Sequence, residues 1–142
     1  MKNDIDIARL IPQRSPFQMV DRLLEVDGTT ARTRFAVGAN NYFLQEDKTM
    51  AWTGVMEHIA QSASAMAGYI AVTAGAEEPP QGILAEVKRF LCHRQPVQGD
   101  VLTTEVTKGV EVNGVAIIYG KTFVDEELVA ETQMKIFIPP MK

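Results

Sequence analysis

The segment that most restricts this chain is Ala51–Ala71, AWTGVMEHIAQSASAMAGYIA, which has the composition of a buried helix. From Ile59 to Ala76 it carries no formal charge, so other elements must cover it on all sides. A bilayer is one possible cover. Gln61, Ser62, Ser64 and Thr73, with Gly68 and Gly75, make the run too polar and too poor in leucine for a membrane span. A helix from near Thr53 to near Gly75 is expected, with Gly75 as its C-terminal cap and Pro79–Pro80 forbidding continuation.

Three stripes run along this helix at helical spacing. Val55, Ile59, Met66 and Ile70 form an apolar one, and Met56, Ala60, Ala63, Ala67 and Ala74 form one of mostly small residues that admits a closely packed sheet. The third, Glu57, Gln61, Ser64 and Gly68, is polar at its N-terminal end. An acidic residue in the first turns can be there for the helix dipole alone. Gln61, one turn on, lies on the same face and can orient the Glu57 carboxylate. His58 is next in sequence but about 100° round the helix, so it reads as a packed residue and not a second catalytic group.

The remainder is expected to supply the cover. A short N-terminal helix is predicted, capped by Asn3 or Asp4, with Ile5, Ile7, Leu10 and Ile11 turned inward. Two strands flank Asp27–Gly28, the second alternating Thr33, Phe35 and Val37 against Arg32 and Arg34. Gly38–Met50 has no periodicity and reads as a loop. After the helix come strand-like runs Gly82–Cys92, Val101–Val112, Val115–Val124 and Leu128–Ile138, with Asn113–Gly114 the strongest hairpin signal. In the last run Leu128, Ala130, Thr132, Met134, Ile136 and Ile138 share a face opposite Glu131, Gln133 and Lys135. One long helix and strands with a single apolar face predict an α+β fold of the hot-dog kind, a curved antiparallel sheet wrapped around one central helix in a single domain over 1–142.

A net charge of -4 excludes a general nucleic-acid binder, which needs a basic surplus. Cys92, the single cysteine, cannot form an internal disulfide and has no neighbouring pattern to activate it. The opening MKNDIDIARL puts acidic residues where a secretory leader would be basic, so a cytoplasmic protein is expected. No metal-ligand spacing or glycine-rich phosphate loop is present, and no metal or bound cofactor is expected.

Three motifs then carry a resemblance. LIPQRSPFQMVDRLLEVDG is similar to the N-terminal signature of β-hydroxyacyl-acyl-carrier-protein dehydratases, GVMEHIAQSASAMAG to their helix, and PVQGDVL to their Pro-Gly-Asp bend. A divergent branch, the dehydratase-like proteins of aryl-polyene pathways, resembles the chain further in Trp52, Gly54 and Glu57 and in Gly82, Leu84, Arg89 and Phe90. The resemblance implies a dimeric hot-dog protein acting on acyl chains held as thioesters on the phosphopantetheine of an acyl carrier protein. It implies Glu57 as acid or base, Gln61 beside it, and a histidine from the loop before the helix of the other subunit. That loop reads NNYFLQEDKTMAWTG here and holds no histidine, while Gln13 replaces the histidine of the N-terminal motif. In the divergent branch such a chain pairs with a second, more conventional hot-dog subunit, so homodimer and heterodimer both stay open.

Removing water from a 3-hydroxyacyl thioester needs a base, an acid and donors on the carbonyl. Glu57 fits one proton-transfer role, and backbone N–H groups near Trp52, Thr53 and Gly54 fit the third. Asp47 or Glu46, in the loop, is a candidate substitute for the missing base. Phe17, Met19, Trp52, Met56 and Met66 are candidate linings of an acyl tunnel, or ordinary core. Lys88, Arg89, His93 and Arg94 form a dense basic cluster suited to an acidic carrier protein, or a protected strand edge. Three functions remain: a dehydratase, a silent subunit that binds the acyl carrier and pairs with an active one, and a thioesterase.

Overall fold

In a computed structural model of the chain the described residues run from Lys2 to Ile138; the domain expected over 1–142 also includes Met1 and 139–142, which lie outside them. A 3-10 turn, Ile7–Arg9, is followed by β1 (Arg22–Asp27), β2 (Thr30–Ala36), α1 (Trp52–Thr73), β3 (Ile83–Cys92), β4 (Val101–Val112), β5 (Val115–Val124) and β6 (Glu127–Phe137). The strands form a six-stranded sheet in the order β1-β2-β4-β5-β6-β3, with every neighbouring pair antiparallel. It wraps around α1, the hot-dog architecture expected. Among the described residues no helix is long and apolar enough to cross a membrane.

Local chemistry accounts for most boundaries. The helix stops at Ala74, after which Gly75 (φ 105°) donates to Val72 O at 3.1 Å and Ala76 to Ala71 O at 3.0 Å. This paired closure needs a left-handed residue at Gly75. Asn113 (φ 54°) and Gly114 (φ 83°) turn β4 into β5, and Asp125 (φ 48°) and Glu126 (φ 71°) turn β5 into β6. Two residues of positive φ give the turn twist that matches paired strands.

Extra residues bend the sheet. The pairing register skips Leu24 in β1, Ala85 and Lys88 in β3, and Val129 in β6. Each such bulge adds twist and curvature, which lets a sheet close around a helix. Val55, Ile59, Ala63 and Met66 of α1 share one buried core with Leu102, Val106, Ile118, Met134 and Ile136 of the sheet.

Three expectations change. The N-terminal helix is a single 3-10 turn capped by Asp6, whose carboxylate accepts from Ala8 N. Asn3 instead ties the N-terminus to β1, donating through Nδ2 to Leu23 O at 3.0 Å. The bulge at Val129 breaks the alternation of β6, so Val129 is buried and Leu128 only half-buried. Ile70 is 50% exposed although Ala71, next to it, is buried, because its side of α1 is left uncovered by the described residues. The apolar strand β3 is mostly exposed, since it is an edge strand with no neighbour beyond it.

Candidate active site

The third stripe of α1 places Glu57 and Gln61 one turn apart, and their side chains meet. Gln61 Nε2 donates to Glu57 Oε2 at 2.7 Å. The same nitrogen donates to Phe17 O at 2.9 Å, and Gln61 Oε1 accepts from Met19 N at 2.7 Å. Gln61 is buried and Glu57 half-buried. Because Oε1 must face the Met19 N–H, the amide has one orientation, with Nε2 toward the carboxylate. The clamped segment, Phe17–Met19, follows a cis peptide at Ser15–Pro16.

No side chain caps the helix at Ala51. The Trp52 and Thr53 N–H groups make no backbone bond among the described residues, while Gly54 N donates to Ala51 O at 2.8 Å. Gly54 is required by packing: a Cβ there would lie 2.5 Å from Phe43 Cβ and 3.0 Å from Met50 Cγ. From Phe43 an aromatic row leads back to the clamped segment, with ring centroids 5.2 Å apart for Tyr42–Phe43 and 4.7 Å for Phe17–Tyr42. Phe17 is 52% and Tyr42 60% exposed, so the row borders the outside of the site. On the other side of the helix start, Trp52 packs against Phe90 at 5.8 Å and shares an open groove with Cys92 and Gln95. Met56 is half-buried, whereas Met19 and Met66 are core.

The loop before the helix is ordered by its own bonds. Asp47 accepts from Thr49 N at 3.1 Å and from Thr49 Oγ1 at 2.7 Å, and these bonds lower its pKa in an exposed position. Met50 N donates to Pro96 O and Gln98 N to Lys48 O, tying the loop to the turn before β4.

The chain has two histidines. His58 is fully buried and turned into the core, the packed alternative expected for it. His93 bonds Glu131 at 2.9 Å on the outer face of the sheet, opposite Ala130 and Thr132, which face the helix. The basic cluster is therefore partly engaged. Arg94 pairs with Asp100 and Glu127, each at 3.3 Å, and these acids raise its pKa; the His93 contact lowers that of Glu131. Lys88 and Arg89 are exposed on β3 and make no ion pair among the described residues. The structural role of the Met19 peptide was not legible in the sequence, because a backbone group carries no residue signature. Tyr42 carries no sequence signal for a related reason, as its place in a loop lacks periodicity.

The described residues define a hot-dog protein with a carboxylate clamped near the uncapped start of its central helix. The chain belongs to the ApeP-like family (ApeP dehydratase), which it matches over residues 5–142. It is 35% identical over 137 residues to the 3-hydroxyacyl-acyl-carrier-protein dehydratase FabZ of Moorella thermoacetica, covering 90% of each chain. Identity to the FabZ of Syntrophotalea carbinolica is 28% over 145 residues, covering 96% of this chain and 94% of that one. Among solved structures, a chain of the dehydratase heterocomplex ApeI:P from Xenorhabdus doucetiae superposes with a TM-score of 0.88 at 15% identity, covering 97% of this chain and 93% of that one. A hypothetical thioesterase with coenzyme A from Streptococcus pneumoniae has a TM-score of 0.65 at 11% identity, covering 85% and 87%. These two likenesses concern the fold.

Proposed function

We propose that this protein removes water from 3-hydroxyacyl thioesters carried on an acyl carrier protein, with Glu57 as the acid and a histidine supplied by a second hot-dog subunit as the base. The observation that carries the reading is the Gln61 clamp on Glu57 at 2.7 Å. A carboxylate placed only for the helix dipole needs no such partner. The dehydratase relatives support the reaction, and the likeness to a chain of the ApeI:P dehydratase heterocomplex supports the pairing. His58 is turned into the core and His93 lies on the outer face of the sheet, which favours a histidine from a second subunit over either of this chain's own.

In the reaction, the partner's histidine takes the proton at C2 of the acyl chain. The C2=C3 double bond forms as the C3–O bond breaks, and the hydroxyl leaves as water with the proton of Glu57. Gln61 holds the glutamate throughout. The Trp52 and Thr53 N–H groups polarise the thioester carbonyl, where negative charge develops. Phe17, Trp52 and Met56 line the approach, whereas Gly54, expected to share this role, is buried under Phe43 and Met50. The exposed β3 edge, with Ile83, Leu84 and Leu91 uncovered, is the pairing surface for the second subunit. Of the basic cluster, Lys88 and Arg89 carry the docking role for the acidic carrier, since His93 and Arg94 already have acidic partners.

The test is a single-turnover assay with a short 3-hydroxyacyl carrier-protein substrate, read as loss of water by intact mass, with and without the partner subunit. Turnover with the partner, lost in Glu57→Gln and kept in Asp47→Asn, is expected. Dehydration without a partner, lost in Asp47→Asn, would make Asp47 the base. Persistence of paired turnover in Glu57→Gln would make this the silent subunit, and release of free acid would make it a thioesterase.

A further inference from the structure

His58 is fully buried one residue after the proposed acid, and the reaction above leaves it without a role. Its Nδ1 lies 2.5 Å from Met19 O and its Nε2 2.7 Å from Thr104 Oγ1, which is 2.7 Å from Thr122 Oγ1. A carbonyl oxygen only accepts, so Nδ1 holds a proton. Burial keeps the ring neutral, with its pKa lowered to about 4, so Nε2 is an acceptor. Thr104 then donates to Nε2, and its oxygen accepts from Thr122. Beyond the ring the sequence continues: Met19 N–H donates to Gln61 Oε1, and Gln61 Nε2 to Glu57 Oε2. Every bond from Thr122 through Thr104, His58, the Met19 residue and Gln61 to Glu57 points the same way.

We propose that His58 and Thr104 are positioning residues for Glu57, acting through both ends of Met19 and the Gln61 amide. The chain arrives at Glu57 as a donor, so Oε2 is occupied as an acceptor and Oε1 is the oxygen that carries and delivers the proton. On either side of Met19 the aligned bonds polarise one another, and across Met19, whose N–H and C=O belong to successive peptide units, the two halves are joined by the fixed backbone. A core histidine merely satisfied by neighbours would have no reason to share Met19 with the one glutamine that holds the acid. The inference rests on the reading of Glu57 as the acid.

Thr104→Val removes the donor to Nε2 with little change of shape, and Thr104→Ser restores it. Two readouts follow in the protein with its partner subunit: ¹⁵N NMR of the His58 ring with the Gln61 side-chain amide and Met19 amide exchange, and single-turnover rates at several substrate concentrations. In the valine variant the His58 Nε2 signal is expected to shift as it loses its donor while Nδ1 keeps its proton, the Gln61 amide signals to shift and Met19 exchange to quicken. The maximal rate is expected to fall about tenfold, the size of one neutral hydrogen bond, at unchanged half-saturating concentration. Serine should recover both. A folded valine variant with unmoved Gln61 and Met19 signals overturns the proposal, as does an unchanged rate where Glu57→Gln abolishes turnover. If Glu57→Gln itself keeps turnover, the proposed function fails and the NMR arm alone decides whether the chain positions Glu57. Should Thr104→Val not fold, Thr122→Val, one bond further back, is expected to act in the same direction and is judged by the same signals.

Discussion

Gln61 Nε2 donates to Glu57 Oε2 across 2.7 Å while its Oε1 accepts from the backbone of Met19, also at 2.7 Å. One amide thus joins the proposed acid to a loop far away in sequence, and rotating it would break bonds at both ends.

Glu57→Gln is expected to lower dehydration about 10²- to 10⁴-fold, the usual contribution of a positioned acid. Its unfolding free energy should stay within about 1 kcal/mol of the parent, because an amide oxygen can still accept from Gln61. Paired rates and urea titrations check both values.

Gln61→Leu should be worse for stability than Glu57→Gln. It strands the Met19 N–H, a donor in the buried segment, at a cost of about 1–3 kcal/mol. The lower urea midpoint should come with the slope unchanged.

Acid should destabilise the fold through His58. Its folded pKa of about 4 lies below the ordinary value of 6.5, so between those values the unfolded chain binds the extra proton. Stability therefore rises with pH across that window and is level above it, the whole contribution being about 3 kcal/mol. Urea midpoints measured across the window should show this slope in the parent and a reduced one in His58→Gln.

Gly54→Val should crowd Phe43 and Met50 at the start of the helix. Overpacking of this kind costs about 1–3 kcal/mol. Thermal unfolding should register the loss.

Leu84→Glu and Leu91→Glu place charges on the exposed edge strand β3, away from the core. The protein should stay folded, with its unfolding transition retained, but lose the subunit pairing expected at that edge. Light scattering after size exclusion reads the change directly.

The legible parts of this chain were those set by neighbours in sequence. The turn at Asn113–Gly114, the stop at Gly75 and the meeting of Glu57 with Gln61 each follow from residues within a few positions of one another. Periodicity likewise marked α1 as buried and β6 as one-sided. It failed at Val129, where a bulge shifts the parity, and at Ile70, whose side of the helix the described residues leave uncovered. Neither event leaves a local trace, because both depend on the length and path of elements elsewhere in the chain.

Spacing along the helix was enough to put a carboxylate and an amide on one face, and composition was enough to require a sheet around them. Which atom of that amide faces the carboxylate was set by Met19, whose N–H reaches the helix only after the chain has folded back. The same holds for His58, a neighbour of Glu57 in sequence whose ring turns to Thr104 on β4. Short-range geometry is written in the order of residues. The direction of a buried hydrogen bond is not, because it depends on which distant donor or acceptor packing brings within reach.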